Sequence, residues 1–214
     1  EAWIVGEMIH GDYAAYVEAS GIDSVTQYEL WKAIWSSLEQ ENFYELDWTL
    51  GRHAALLETF VPQTFVGNHD VTRIATRVGP DKAVLALAIL MTTAGVPAIY
   101  YGDEGGMLGL KEDRLGGDDA VRPAFPATPP EPDGHGGGVE TAHRALIALR
   151  RRHPWLIGAR TTMRELSNER CVYVARGADE QGGLELVVEL VTAPRPFVRV
   201  SDAEGVEHFA WGRE

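Results

Sequence analysis

The chain is 214 residues long and 45% hydrophobic, and its 32 acidic and 19 basic side chains leave a net charge of −13. That is enough apolar content to bury a core in one large or two smaller domains. A surface this acidic repels nucleic acid and anionic membrane and favours a neutral or cationic ligand. The single cysteine, Cys171, rules out an intramolecular disulfide and leans towards a cytoplasmic location. The longest apolar run, residues 84–91, is too short to span a bilayer.

In chain order, residues 2–5 read as a strand that ends at Gly6 and Glu7; with no initiating Met ahead of it and no signal peptide, the chain reads as a fragment. Asp12 is placed to cap a short helix over 13–19 that stops at Ser20-Gly21. A brief strand over 22–26 follows. From Tyr28 onward Leu30, Trp31, Ile34, Trp35 and Leu38 recur at helical spacing, which predicts a helix with this face buried. The two tryptophans could instead offer a stacking surface to a sugar ring. A further helix is expected over 45–60, ending before Pro62. Residues 64–67 form the next strand, 81–94 a long apolar helix started by Pro80 and Asp81, and 97–101 another strand, closed by Gly102-Asp103-Glu104. The helix over 139–152 completes the fourth strand–helix unit. Residues 105–138, with Gly116-Gly117-Asp118-Asp119 and Pro129-Pro130-Glu131-Pro132, read as a long loop of the kind that is usually functional or disordered.

After Pro154 the pattern changes. Short β-branched runs over 161–166, 171–175, 184–190 and 197–200, parted by turn signals such as Ser167-Asn168 and Gly182-Gly183, predict a small antiparallel β domain packed against the rest.

The polar groups gather at strand ends. Thr64-Phe65-Val66-Gly67 is an apolar strand that stops in Asn68, His69 and Asp70, and Gly6-Glu7 ends the first strand in the same manner. In a barrel of parallel strands that end of each strand carries the chemistry, so Glu7 and Asp70 read as a carboxylate pair facing one substrate. Arg73 and Arg77 follow Asp70 at helical spacing; they are expected to pair with surface carboxylates, with Arg73 alternatively reaching the site. His10 is left open between subsite lining and loop packing. Asp113, Asp118 and Asp119 do not follow a calcium-loop pattern.

Gly95-Val96-Pro97-Ala98-Ile99-Tyr100-Tyr101-Gly102-Asp103-Glu104, Phe65-Val66-Gly67-Asn68-His69-Asp70 and Val5-Gly6-Glu7 resemble three blocks of the α-amylase family, glycoside hydrolase family 13, in the family's order. Residues 114–126 resemble that family's segment after the eighth strand, and residues 148–156 its last barrel helix. The resemblance implies an α/β fold: a partial (β/α)8 barrel holding strands five to eight over residues 1–155, followed by a C-terminal β-sandwich-like domain over 156–214. By the same match Glu7 stands at the general acid/base, Asp70 at the transition-state stabiliser, and His69, helped by Asn68, at a sugar-hydroxyl contact. Asp103 and Glu104 fall in a block that is chiefly structural there.

The family's nucleophilic Asp belongs to the fourth strand, which would lie upstream of Glu1. Retaining hydrolysis needs one carboxylic acid to protonate the leaving oxygen and one carboxylate to attack the anomeric carbon, about 5 Å apart. Glu7 must therefore hold its proton near neutral pH, through partial desolvation or a neighbouring negative charge such as Asp70. The resemblance implies an α-linked oligosaccharide or polysaccharide as substrate and the missing N-terminal half as partner. It implies no cofactor in this chain, with calcium an option in the missing part. A hydrolase, a transglycosylating or isomerising relative such as a trehalose-forming enzyme, and a non-catalytic binding fragment all remain open; this chain alone is expected to be inactive.

Overall fold

The computed structural model describes residues 2–125, 127–128, 136–177 and 183–212. The Pro129–Pro132 cluster, Pro126 and Gly182 of the predicted turn lie outside them.

The first half alternates short parallel strands with helices. β1 (Val5–Gly6) pairs with β2 (Ser24–Val25), and β3 (Gln63–Phe65) pairs with β4 (Val96–Ala98), both in parallel. A parallel bridge between Thr26 and Gln63 joins the two pairs, so β1, β2, β3 and β4 neighbour one another in chain order. The ladders are shorter than the apolar runs suggest. Ala2 to Ile4 and Ile99 to Tyr101 lie outside them.

The helices follow local chemistry. In α1 (Tyr13–Ser20), the Asp12 carboxylate accepts from Ala15 N at 3.1 Å, and Gly21 ends the helix in the left-handed conformation with φ 69°. Helix α2 (Tyr28–Glu39) is capped by the Gln27 side chain, which accepts from Glu29 N and Leu30 N. It packs on α3 (Tyr44–Leu56) through Leu30, Ile34, Leu38, Phe43, Leu46 and Leu50. The ion pairs Glu29–Arg52 and Lys32–Glu45 mark the two helices as antiparallel. Trp35 is partly buried against this apolar interior and Trp31 against a separate cluster of Tyr28, Phe65 and Val71, which fits the buried-face reading rather than the stacking surface.

A one-turn helix, α4 (Ile74–Val78), leads into α5 (Pro80–Thr92), in which residues 83–92 are buried on every side. A helix apolar all round belongs in a core. Here α5 lies against α2, α4, α6 (Gly136–Arg152) and the C-terminal sheet. That sheet is an antiparallel meander of β5 (Arg160–Leu166), β6 (Arg170–Arg176), β7 (Glu185–Val191), β8 (Phe197–Asp202) and β9 (Glu207–Trp211). The fifth of these strands corrects the sequence reading, which stops at residue 200.

One hydrophobic cluster runs from Leu85, Leu87 and Ile89 of α5 into Tyr173, Leu186, Val188 and Val200 of the sheet. The Thr92 and Tyr173 hydroxyls meet across it at 2.6 Å. Among the described residues no helix is long and apolar enough to cross a membrane.

Candidate active site

Two carboxylates predicted from strand ends come to one rim. Glu7 follows β1 directly, and Asp70 lies beyond the end of β3. Between them stands Tyr28, the first residue of α2. Its hydroxyl donates to Glu7 Oε1 at 2.8 Å and accepts from Asn68 Nδ2 at 2.7 Å. Asn68 Oδ1 in turn accepts from Asp70 N at 2.9 Å, an Asx turn that folds the chain back after the strand. Burial, and next the contact with Glu7, push the Tyr28 phenol up to about 12. Glu7 and His69 are exposed, and Asn68 and Asp70 are half-buried.

The segment after β4 folds onto the same rim. Lys111 forms an ion pair with Asp70, while its backbone N–H donates to Thr72 Oγ1 at 3.1 Å. Arg122 lies 3.8 Å from Asp70, donates from Nε to the His69 carbonyl at 2.7 Å, and pairs with Asp118. The Lys111 ammonium, above all through its hydrogen bond, holds the Asp70 carboxyl below the usual carboxylate range. The sequence singles out neither Lys111 nor Tyr28: the first sits 41 residues from Asp70, and the second marks only the start of a helical period. His10 is exposed.

Arg73 corrects the expectation of surface pairing. Its side chain is fully buried and its guanidinium donates to the Tyr101 carbonyl at 2.5 Å, Asp103 Oδ1 at 2.9 Å and the Val121 carbonyl at 2.9 Å. The same group stacks over Tyr100 and Tyr101, 4.3 and 4.9 Å from the ring centroids. Arg77 is the one at the surface, 3.6 Å from Glu39 with its guanidinium over Trp35.

Asp103 is therefore a strut. Burial raises its carboxyl to about 6 against the pull of Arg73. Glu104 accepts from Gly102 N at 2.7 Å. Gly67 explains the close fit at this point, since a Cβ there would lie 2.3 Å from Asp103 Oδ2. The ends of β3 and β4 are thus clamped together beneath the Asn68–Asp70 turn. Among the described residues no group of three or more His, Cys, Asp or Glu side chains could hold a metal ion.

Chemically the rim offers one carboxyl with a phenol donor at one oxygen, one carboxylate held ionised by cations, and an exposed imidazole. That set can give a proton and can stabilise positive charge.

Known proteins give the context. The 4-alpha-glucanotransferase of Thermotoga neapolitana is 34% identical over 115 residues, covering 51% of this chain and 24% of its own length. Alpha-amylase SusG of Bacteroides thetaiotaomicron is 31% identical over 121 residues, covering 48% of this chain and 17% of its own. Among solved structures, AmyP in complex with maltose superposes with a TM-score of 0.72 at 16% identity, covering 98% of this chain and 53% of that one. The cyclic alpha-maltosyl-(1→6)-maltose hydrolase of Arthrobacter globiformis gives 0.68 at 22% identity, covering 91% and 42%. These two likenesses speak to the fold. The chain spans a quarter or less of the length of both curated relatives. The family model described as alpha amylase, catalytic domain, matches residues 1–153, a span that takes in Glu7, Asn68, His69 and Asp70, and the chain belongs to the α-amylase family.

Proposed function

We propose that this chain is the C-terminal half of a retaining α-glucan- or α-glucoside-active enzyme. In this reading residues 1–155 carry strands five to eight of a (β/α)8 barrel, and residues 156–214 form the domain that follows it. The four parallel strands, neighbours in chain order and linked by helices, support the barrel assignment. The observation that carries the functional reading is the bonded path from Glu7 through Tyr28 and Asn68 to Asp70, which holds two carboxyl-bearing strand ends on one rim.

Glu7 is the general acid, giving its proton to the glycosidic oxygen as the bond to the anomeric carbon breaks. Asp70 stabilises the positive charge that develops on the sugar, and His69, with Asn68, contacts its hydroxyls. The attacking carboxylate comes from a preceding segment of the barrel. The exposure of Glu7 supports this division, because an acid at work near neutral pH needs walls that exclude water, and here one side stands open. The reading assigns no cofactor to this chain. An α-linked oligosaccharide is the substrate class, in keeping with relatives named as glucanotransferase, amylase and neopullulanase.

The test is turnover of a maltooligosaccharide and of an activated aryl α-glucoside by the full-length protein, its variants and residues 1–214 alone, scoring both hydrolysis and transfer. Glu7→Gln should abolish most activity on the oligosaccharide and much less on the aryl glucoside, whose leaving group needs no proton. Asp70→Asn should lower both alike. Robust turnover by residues 1–214 alone would refute the placement of the nucleophile.

A further inference from the structure

We propose that Tyr28 is a positioning residue for the proton-transfer step: its hydroxyl occupies Glu7 Oε1, so the transferable proton sits on Oε2. The inference rests on the reading of Glu7 as the general acid and adds which of its oxygens does the work. It starts from donor and acceptor inventory. The backbone N–H of Asp70 can only donate, which makes the facing atom of Asn68 its carbonyl oxygen. The other end of the Asn68 amide is then NH2, a donor with nothing to accept, and it faces the Tyr28 oxygen at 2.7 Å. With that lone pair taken, the phenol's single proton points to its remaining polar neighbour, Glu7 Oε1, at 2.8 Å. Each link fixes the direction of the next.

The ring is held where this geometry persists. Tyr28 is 6% exposed, with Phe65 packed edge-on at 4.9 Å and Trp31 edge-on at 5.7 Å. Val71 closes the same cluster, and the Gln27 side chain fixes the start of the helix that carries the ring. The other groups around the phenol are Asn68 and, through charge alone, Asp70.

The proton balance follows. The proton on Oε2 passes to the glycosidic oxygen as the carbon–oxygen bond breaks and the attacking carboxylate joins the anomeric carbon, so the leaving sugar departs as an alcohol. Glu7 is left as a carboxylate with its negative charge met at Oε1 by the phenol. In the second step water attacks the anomeric carbon, returns a proton to Oε2, and releases the first carboxylate. A donor to the charged form favours that form. Tyr28 therefore makes Glu7 the readier acid in the first step.

The experiment is the pH profile of kcat/KM for the full-length protein with Tyr28→Phe and with 3-fluorotyrosine placed at residue 28; the second keeps ring and hydroxyl but donates more strongly. Tyr28→Phe should move the basic limb to higher pH and lower kcat/KM for a maltooligosaccharide about tenfold. For an activated aryl glucoside the loss should be smaller. Fluorotyrosine should move the limb the other way. Equal losses on both substrates with an unmoved limb, or limbs that fail to move in opposite directions, would overturn the inference while Glu7→Gln remains inactive on the oligosaccharide. A Glu7→Gln variant that stays active on the oligosaccharide would overturn the acid assignment itself, and the role of Tyr28 with it.

Discussion

Replacing Arg73 by Met should destabilise the fold by about 4 kcal/mol, because it leaves the Asp103 carboxylate buried without its charge partner. The structure sets the size of the effect. The guanidinium is fully buried, the carboxyl is 2% exposed, and two backbone carbonyls, of Tyr101 and Val121, lose a charge-assisted donor as well. Methionine fills most of the vacated volume, so the loss is mainly electrostatic. For a chain of this length about 4 kcal/mol corresponds to a fall in Tm of roughly 8–16 °C, read by circular dichroism.

The pH dependence is a second signature. Burial holds the Asp103 carboxyl at about 6, above its ordinary value, so its contribution to stability is full in acid and declines as pH rises through 6. Without Arg73 the carboxyl takes up its proton still more readily. The deficit of Arg73→Met should therefore be smaller at pH 5 than at pH 7.5. Adding Asp103→Asn should restore part of the loss, since no uncompensated charge then remains. A deficit under about 1 kcal/mol, or one that is unchanged between the two pH values, would refute the reasoning.

Gly67→Ala should cost about 2 kcal/mol or more, since its Cβ would meet Asp103 Oδ2 at 2.3 Å; a melt within a degree of the parent would show that the strand ends part freely. Lys111→Met should move the titration of the Asp70 carboxyl, followed by carbon NMR, to higher pH, because the ammonium's hydrogen bond holds it down; an unmoved midpoint would remove Lys111 from the site. Tyr173→Phe should cost only about 1 kcal/mol by chemical denaturation, because Thr92 Oγ1 keeps its bond to the Ala88 carbonyl at 2.7 Å; a loss above about 3 kcal/mol would mean the hydroxyl pair matters more than its surroundings.

Local signals carried much of the fold. The Asp12 cap, the Gly21 stop and the Pro80-Asp81 start each act within a few residues, and the helices begin and end close to them. Strand limits were less legible. A parallel ladder of two or three residues is set by its neighbours, so apolar runs such as residues 97–101 extend beyond it. β9 escaped because its first residues, Glu207 and His208, dilute the alternation that marks a strand.

The strand-end polar groups at Glu7 and at Asn68 to Asp70 were visible because they interrupt apolar runs. Their partners were not. Lys111 meets Asp70 across 41 residues, Arg73 meets Asp103 across 30, and nothing local distinguishes a buried arginine from a surface one. Tyr28 marked only the start of a helical period, and its hydroxyl gains meaning only when β1 and β3 bring Glu7 and Asn68 to it.

The cluster shared by α5 and the C-terminal sheet bears on how such chains can be recombined. A splice placed at Pro154 separates two patterns of secondary structure, yet it cuts through a single packed interior that includes Leu87, Val188 and the Thr92–Tyr173 contact. A foreign sheet grafted there would arrive with knobs shaped for another helix. The workable unit of exchange is the sheet together with the side of α5 it rests on, two pieces far apart in sequence that have to travel together.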